Sequence, residues 1–453
     1  MTETRSLLAS LVPLFISLGG AVLANGLLGS MTPLAMEEQH YTLSQIGLVG
    51  AGYPIGMVLG AQICPLMVGR VGQIRVFAAF GAMAAVGTLL MPLLPTLWAW
   101  MLARVLLGFC MTGLFTIGEA WMNAVATPQT RGRILSVYMA VFYASAMGSQ
   151  MLLGIVGNDA FTPFVLIALT FCVSLVPLTL GKIDNPIVPQ ATTAFSLRKM
   201  LRKTVTGSAG SFTTGLIMGS YGAFGAIFAK EVGGTVTYVA WFLMAGMAGA
   251  LFLQPVVGRL SDTYDRRWVL VGVIGSIAVM ALGFVLFGLA APPKVMILVN
   301  AVFIGVTTCL YSVSIALAQD QLDPEEVVPA SAALLMMNGL GNVFGPILAT
   351  PVVGEVGSSG YLIFSAVVGV LATVVFIIRA LRERAPAEED DKVDFTVIAP
   401  TTPLLAELDP RSEPEEVQLE FDFWGEGLET PDPVSMEDMQ SVEIEEPDID
   451  RAA

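Results

Sequence analysis

Two side chains stand where an apolar stretch should carry no charge. Arg104 and Glu119 are the only charged residues in a run from about residue 98 to residue 124. A carboxyl group placed there can carry a proton, pair with a base, or simply be packed. The nearest bases beyond the run are Arg131 and Arg133, and a Glu119 pair with either would close a gate that breaks and re-forms in each cycle. Desolvation makes such a pair inexpensive to break. Arg104 needs a wet cavity, or carbonyl and hydroxyl partners, to receive its guanidinium. Alternatively it snorkels to the nearer interface, about 9 Å of helix rise from the start of its run. Fifteen residues separate the two, about 22 Å along one helix, so they cannot pair directly.

Other chemistries find no residues to work with. The sole histidine, His40, lies beside Glu37 and Glu38 and has no triad partners in view. Cys64, Cys110, Cys172 and Cys309 share no pair spacing and fall in apolar runs, which predicts buried thiols and neither disulfides nor a metal site. Gly-x-x-x-x-Gly-Lys-Ser/Thr is absent, so ATP is not the energy source within this chain. We expect no enzyme and no cofactor.

The elements that must hold Arg104 and Glu119 follow from composition. Of 453 residues 55% are hydrophobic and 13% charged, where a soluble protein carries about 25% charged residues. The chain belongs in a bilayer. Its net charge of -15 is misleading, because residues 383–453 hold 23 acids against 4 bases and the first 382 residues are left at +4. Nucleic acid is therefore not an expected partner. Hydropathy gives twelve runs, at about 9–32, 43–67, 76–96, 98–124, 135–157, 162–181, 206–229, 236–257, 268–290, 294–318, 329–352 and 359–380. Each is near the roughly 20 residues that span a hydrocarbon layer about 30 Å thick, and all should be helices.

Basic residues set the orientation. Arg5, Arg70, Arg75, Arg131, Arg133, Lys182, Arg259, Arg266, Arg267, Arg379 and others fall on one side of a twelve-span count, and only Lys230 and Lys294 on the other. Both termini are predicted to be cytoplasmic. The longest internal connection carries Leu197-Arg-Lys-Met-Leu-Arg-Lys203, either an amphipathic segment on the inner leaflet or a solvated linker. It divides the chain into a first bundle (1–181), a basic linker (182–205), a second bundle (206–382) and an acidic tail (383–453). Pro65-Leu-Met-Val-Gly69-Arg70-Val-Gly72-Gln-Ile-Arg75 occupies in the first bundle the place of Gly258-Arg-Leu-Ser-Asp262-Thr-Tyr-Asp265-Arg266-Arg267 in the second. The 193-residue offset between Gly69 and Asp262 also brings Gly148 onto Gly341, as a parallel repeat would.

The Gly-x-x-x-Asp loop with paired Arg resembles the signature loop of the major facilitator superfamily of secondary transporters. Arg104-Val-Leu-Leu-Gly108 resembles that superfamily's Arg-x-x-x-Gly element. Gly118-Glu119-Ala-Trp-Met-Asn, Arg131-Gly-Arg133 and the Tyr-rich fifth span are similar to its YcaD-like branch of sugar- or drug-transporter-like proteins. The likeness covers about residues 7–382. It implies an all-α membrane protein of twelve transmembrane helices in two pseudo-symmetric six-helix bundles. The implied activity is alternating-access movement of a small organic molecule, coupled to a cation gradient, with protons the expected ion.

Residue roles follow from the same resemblance. Arg104 would serve proton coupling or organise the substrate site. Asp262 would face the start of span five, attracted by its helix dipole, with Arg266 and Arg267 anchoring the loop. Gly69 stands where the first-bundle loop should have its Asp, so Arg70 and Arg75 are expected to bridge instead to Asp320, Asp323, Glu325 and Glu326, a charge-reversed latch. The expected cytoplasmic gate is thus Arg70, Gly72, Arg75, Arg131, Arg133, Gly258, Asp262, Arg266 and Arg267. The expected pathway is Asn25, Arg104, Glu119, Tyr143, Gln150, Tyr221, Tyr311 and Asn338, each polar residue being either substrate ligand or interhelical glue. Gly339-Leu-Gly341-Asn-Val-Phe-Gly345-Pro346 marks close packing or a bend. The tail, with Leu419-Glu-Phe-Asp-Phe-Trp424, is expected to be disordered and either to bind a protein partner or to remain solvated. The expected setting is a monomer in the cytoplasmic membrane. The competing reading is a transport-inactive sensor or scaffold that recruits partners through the tail.

Overall fold

Hydrocarbon offers no partner to a backbone amide or carbonyl, so each apolar run must close its own hydrogen bonds. In the computed structural model they do so as twelve helices: α1 (Thr2–Glu38), α2 (Leu43–Val71), α3 (Gln73–Leu93), α4 (Leu97–Val125), α5 (Arg131–Val156), α6 (Thr162–Leu180), α7 (Val205–Gly233), α8 (Val236–Thr263), α9 (Arg266–Phe287), α10 (Pro293–Gln319), α11 (Val327–Val356) and α12 (Gly360–Arg382). All twelve are long and apolar enough to cross a membrane. The structure describes residues 2–127, 129–156, 161–180, 202–287, 292–322, 327–382 and 401–402. Most of the basic linker, the acids Asp323, Glu325 and Glu326, and the tail apart from Thr401 and Thr402 lie outside the described residues. So does the Leu419 to Trp424 motif.

The helices alternate in direction, so α1 begins and α12 ends at one face, termed here the terminal face. Within the first six, α1 packs on α5 and α6, α2 on α4, and α3 on α4 and α6. Within the last six, α7 packs on α10, α11 and α12, α8 on α10, and α9 on α12. The halves meet where α2 packs on α11 and α5 on α8. Large apolar side chains such as Leu102, Ile155, Phe252 and Val279 point outward and stay exposed, which suits lipid and not water. Trp98, Trp241, Tyr264 and Trp268 are exposed at helix ends, where amphipathic rings belong at a headgroup layer. Cys172 corrects an expectation: Cys64, Cys110 and Cys309 are buried, but Cys172 is exposed on the outer surface of α6. A continuous apolar run carries no facial signal that would have separated it from the others.

Close backbone approach positions the polar side chains. A methyl added at Gly56 of α2 would lie 1.9 Å from the Val105 carbonyl oxygen of α4, and one at Gly249 of α8 would lie 1.8 Å from that of Ala301 of α10. The same contact thus recurs in both halves. Gly26 of α1 against Ser149 of α5 is likewise matched by Gly219 of α7 against Asn342 of α11, again 193 residues on. Gly341 and Gly345 press on the α7 backbone at Phe212 and Leu216, so the glycine-rich stretch of α11 is a packing surface. Without a hydrophobic drive between helices in lipid, such small-residue contacts supply the association through dispersion and short interhelical distance. Gly72, at φ 93°, is the whole connection between α2 and α3, a turn that a side chain would strain.

Gly56→Val or Gly249→Val should therefore lower stability by about 1–3 kcal/mol or more. Gly272→Ala, in α9 with open space around it, should be neutral or stabilising by up to about 1 kcal/mol. Thermal unfolding in one detergent, monitored by tryptophan fluorescence, checks both signs.

Candidate functional site

Glu119 lies in α4, six residues before its end and so about 9 Å of rise inside the terminal face. Its exposure is 0%. A carboxylate so buried is costly unless donors surround it. Tyr138 of α5 donates its hydroxyl to Oε1 at 3.0 Å, and Thr401 donates to the same oxygen at 2.5 Å. Thr402 donates to Oε2. Tyr138 is held in place by Phe142, which also packs on Phe115 of α4. Tyr311 of α10 is within electrostatic range of Glu119 and packs beside Leu334 of α11. Among described residues, Glu119 is the only buried acid.

Arg104 occupies the other end of α4. It is 8% exposed, and its guanidinium carbon sits 4.8 Å from the centre of the Tyr53 ring. The fit depends on Gly52, where a methyl would lie 3.0 Å from the Arg104 Cβ. The Tyr53 hydroxyl accepts from Asn25 Nδ2 at 3.0 Å, so α1, α2 and α4 converge on one polar cluster. Among the described residues, Nε and Nη1 of Arg104 and Oδ1 of Asn25 are buried without a hydrogen-bond partner. A cation over an aromatic face gains electrostatically, yet those orphan atoms leave hydrogen-bonding capacity unspent.

The remaining predicted pathway residues divide among separate contacts. Gln150 accepts from Ser30 at 2.9 Å, joining α5 to α1. Tyr143 donates to Gln254 at 2.9 Å, joining α5 to α8 across the halves. Tyr221 accepts from Asn300 at 3.3 Å, and Asn338 donates to the Ser211 carbonyl at 3.1 Å. Near the opposite face Lys230 pairs with Glu37 at 3.0 Å, while Gly47 faces Phe224 and Thr350, and Gly50 faces Ala223.

At the terminal face Arg266 is the centre of a clamp. It is 2% exposed, pairs with Asp262 at 3.0 Å, and donates to Asp320 and to the Ala316 carbonyl, the latter at 3.3 Å. It therefore caps the negative end of α10 while tying down the end of α8. Asp265 accepts from the Arg267 backbone amide at 3.0 Å and caps α9. The Arg267 guanidinium returns to both oxygens of Asp265, at 3.0 Å and 2.6 Å. Gly258 is buried in α8. Arg70, Arg75 and Arg133 are exposed, and Arg131 half-buried.

This arrangement corrects the charge-reversed latch at Asp320 alone. Asp320 is taken by Arg266 of its own half, since the α9 helix start aims that side chain at the α10 carboxyl end. It is not presented to Arg70 or Arg75, and the other acids named for the latch lie outside the described residues. Tyr138, Tyr53, Gln254, Asn300, Thr401 and Thr402 are participants that sequence reasoning did not single out as site residues. Their partners lie on other helices or in the tail, where spacing along the chain carries no signal.

A family model described as Major Facilitator Superfamily matches residues 14–218 and again 207–412. The chain is 24% identical to the uncharacterized MFS-type transporter YcaD of Escherichia fergusonii over 343 residues, 74% of this chain and 87% of that protein. Among solved structures, nucleoside transporter NupG matches with a TM-score of 0.70 at 13% identity, over 83% of this chain and 100% of that one. A D-xylose-proton symporter matches with a TM-score of 0.64 at 14% identity, over 84% and 99%. At such identities the structural likeness speaks to the fold.

Removing one partner of a buried ion pair strands the other, so Arg266→Ala should cost about 3–5 kcal/mol. Arg70→Ala, at an exposed position, should stay within about 0.5 kcal/mol. Unfolding midpoints of the two variants in the same detergent measure the contrast.

Proposed function

The chain belongs to the Major Facilitator Superfamily, and on that footing we propose that it carries a small organic molecule across the cytoplasmic membrane by alternating access, driven by a proton gradient. The observation that carries this reading is Glu119, a carboxyl group with no solvent exposure in the core of α4. Intramembrane ionisable residues are expensive to keep and mark ion or substrate paths by default. A group that gains a proton when its cavity opens to one side, and releases it when the cavity opens to the other, moves one charge per swing.

Arg104 supports a solute site at the far end of the same helix. Its two unsatisfied nitrogens and Asn25 Oδ1 offer two donors and one acceptor to a polar solute, and the Tyr53 ring offers an apolar wall. Ionisable groups in the spans are few, which favours an uncharged or singly charged solute over a polyanion. The likeness to a nucleoside transporter and a sugar-proton symporter points the same way.

The gate reading rests on register. Tyr143 reaches Gln254 and Gly154 faces Ala240, so α5 and α8 run antiparallel, and the same register carries Asp262 to the level of the first turn of α5. There the positive end of the α5 dipole attracts it, while Arg266 holds it from the other side. Arg70, Gly72, Arg75, Arg131, Arg133, Gly258 and Arg267 complete a cytoplasmic gate, with the contacts around Glu37 and Lys230 closing the outer side.

Reconstitution in liposomes, with an imposed pH step and a metabolite library, tests the proposal. At least one solute should accumulate only when the gradient is present, and Glu119→Gln should reduce that accumulation to the level of empty liposomes while sparing exchange of solute against solute. Accumulation unchanged by Glu119→Gln and Arg104→Gln, together with dependence on the tail, would favour the sensor or scaffold reading.

A further inference from the structure

The buried acid is satisfied in part from outside the helical bundle. Thr401 and Thr402 are 4% and 5% exposed, although they lie 19 and 20 positions beyond the end of α12 at Arg382. Between them they donate to both oxygens of Glu119, which also accepts from the Tyr138 hydroxyl. We infer that the Glu119 site is a receptor for paired hydroxyl groups whose resident occupant is the chain's own Thr401-Thr402 segment, a tethered brake that must leave before the bundle can cycle.

Reach, entropy and local concentration all favour this occupant. The roughly 19 residues between Arg382 and Thr401 span up to about 60 Å when extended, far more than the distance from the terminal face to Glu119. Pro400 and Pro403 bracket the threonines in the sequence, and proline narrows the backbone freedom that docking must remove. Tethering makes docking intramolecular, so the segment competes at an effective concentration on the order of millimolar. Threonine suits the place chemically, because its hydroxyl donates to a carboxylate while its methyl fills apolar space.

The consequence rests on Glu119 being the coupling group, as proposed above. A carboxylate whose two oxygens are occupied by tail hydroxyls is withheld from both proton and solute. Release of the tail would start transport, and any condition that draws the acidic tail elsewhere would set the rate.

Chemical labelling tests the docking without knowing the solute. In the full chain carrying Cys172→Ala, a Thr402→Cys variant keeps the Thr401 contact, and its reaction with a membrane-impermeant maleimide is timed against that of Val71→Cys at the exposed end of α2. The thiol introduced at position 402 should react roughly tenfold or more slowly than the reference thiol at position 71. Adding Thr401→Val, which leaves every bundle residue untouched, should raise the rate at position 402 by about threefold or more, and adding Thr401→Ser should not. Adding Glu119→Leu should bring the rate at position 402 close to that of the reference. Fast labelling of Thr402→Cys with no further change overturns the proposal. So does slow labelling that neither Thr401→Val nor Glu119→Leu relieves. For the brake itself, the full chain with Thr401→Val and Thr402→Val should take up solute faster than the unaltered chain in the liposome library assay. Equal uptake sinks the brake alone, whereas no uptake by either chain sinks the transport reading and the brake with it.

Discussion

A carboxyl group cannot be left bare in hydrocarbon. Glu119 has no access to solvent, and α4 itself supplies none of the donors that the structure shows around it. They come from α5, through Tyr138, and from beyond the twelfth helix, through Thr401 and Thr402. That requirement links otherwise separate parts of the molecule. The aromatic packing of α4 on α5 fixes the Tyr138 hydroxyl, and the glycine contacts of α2 on α4 fix the helix that carries Glu119. If Glu119 is the coupling group proposed above, whatever alters its donors would alter how the two halves can move.

The second half shows how the same fold manages a buried charge by pairing it. Arg266 is almost as buried as Glu119, yet two carboxylates and the C-terminal carbonyl end of α10 surround it. That is a charge-compensated cluster, suited to hold a loop. Arg104 is the opposite case, with an aromatic face and an asparagine beside it and two nitrogens unspent. The contrast separates an anchor from a site with capacity to bind.

Much of this was legible in the sequence. Twelve helices follow from apolar runs of spanning length, and the pairing of halves from Gly-rich landmarks 193 residues apart, which the Gly26-Ser149 and Gly219-Asn342 contacts match. Arg104 and Glu119 stood out because charge in an apolar run demands a reason. What could not be read was partnership. Arg266 and Asp320 are 54 positions apart, and Glu119 and Thr402 are 283, so no local pattern connects them. Asp320 shows this directly: charge complementarity among loops names it as a candidate for Arg70 and Arg75, but helix directions bring it to Arg266 of its own half. Cys172 shows the same limit, since a uniformly apolar helix does not reveal which side faces lipid.

If Glu119 governs the balance between two arrangements of the halves, its protonation must move them, and paired spin labels measure this directly in the lipid-reconstituted full chain carrying Thr401→Val and Thr402→Val, which frees the carboxyl group from the tail. One pair, at Val71 and Leu260, sits near the terminal face, and one, at Leu94 and Leu286, near the opposite face, all at exposed positions. Two distance populations are predicted for each pair, shifting in opposite senses as pH is changed, with Glu119→Gln holding both pairs in a single population. One unchanging distance per pair, or pH-driven shifts that persist in Glu119→Gln, would contradict it.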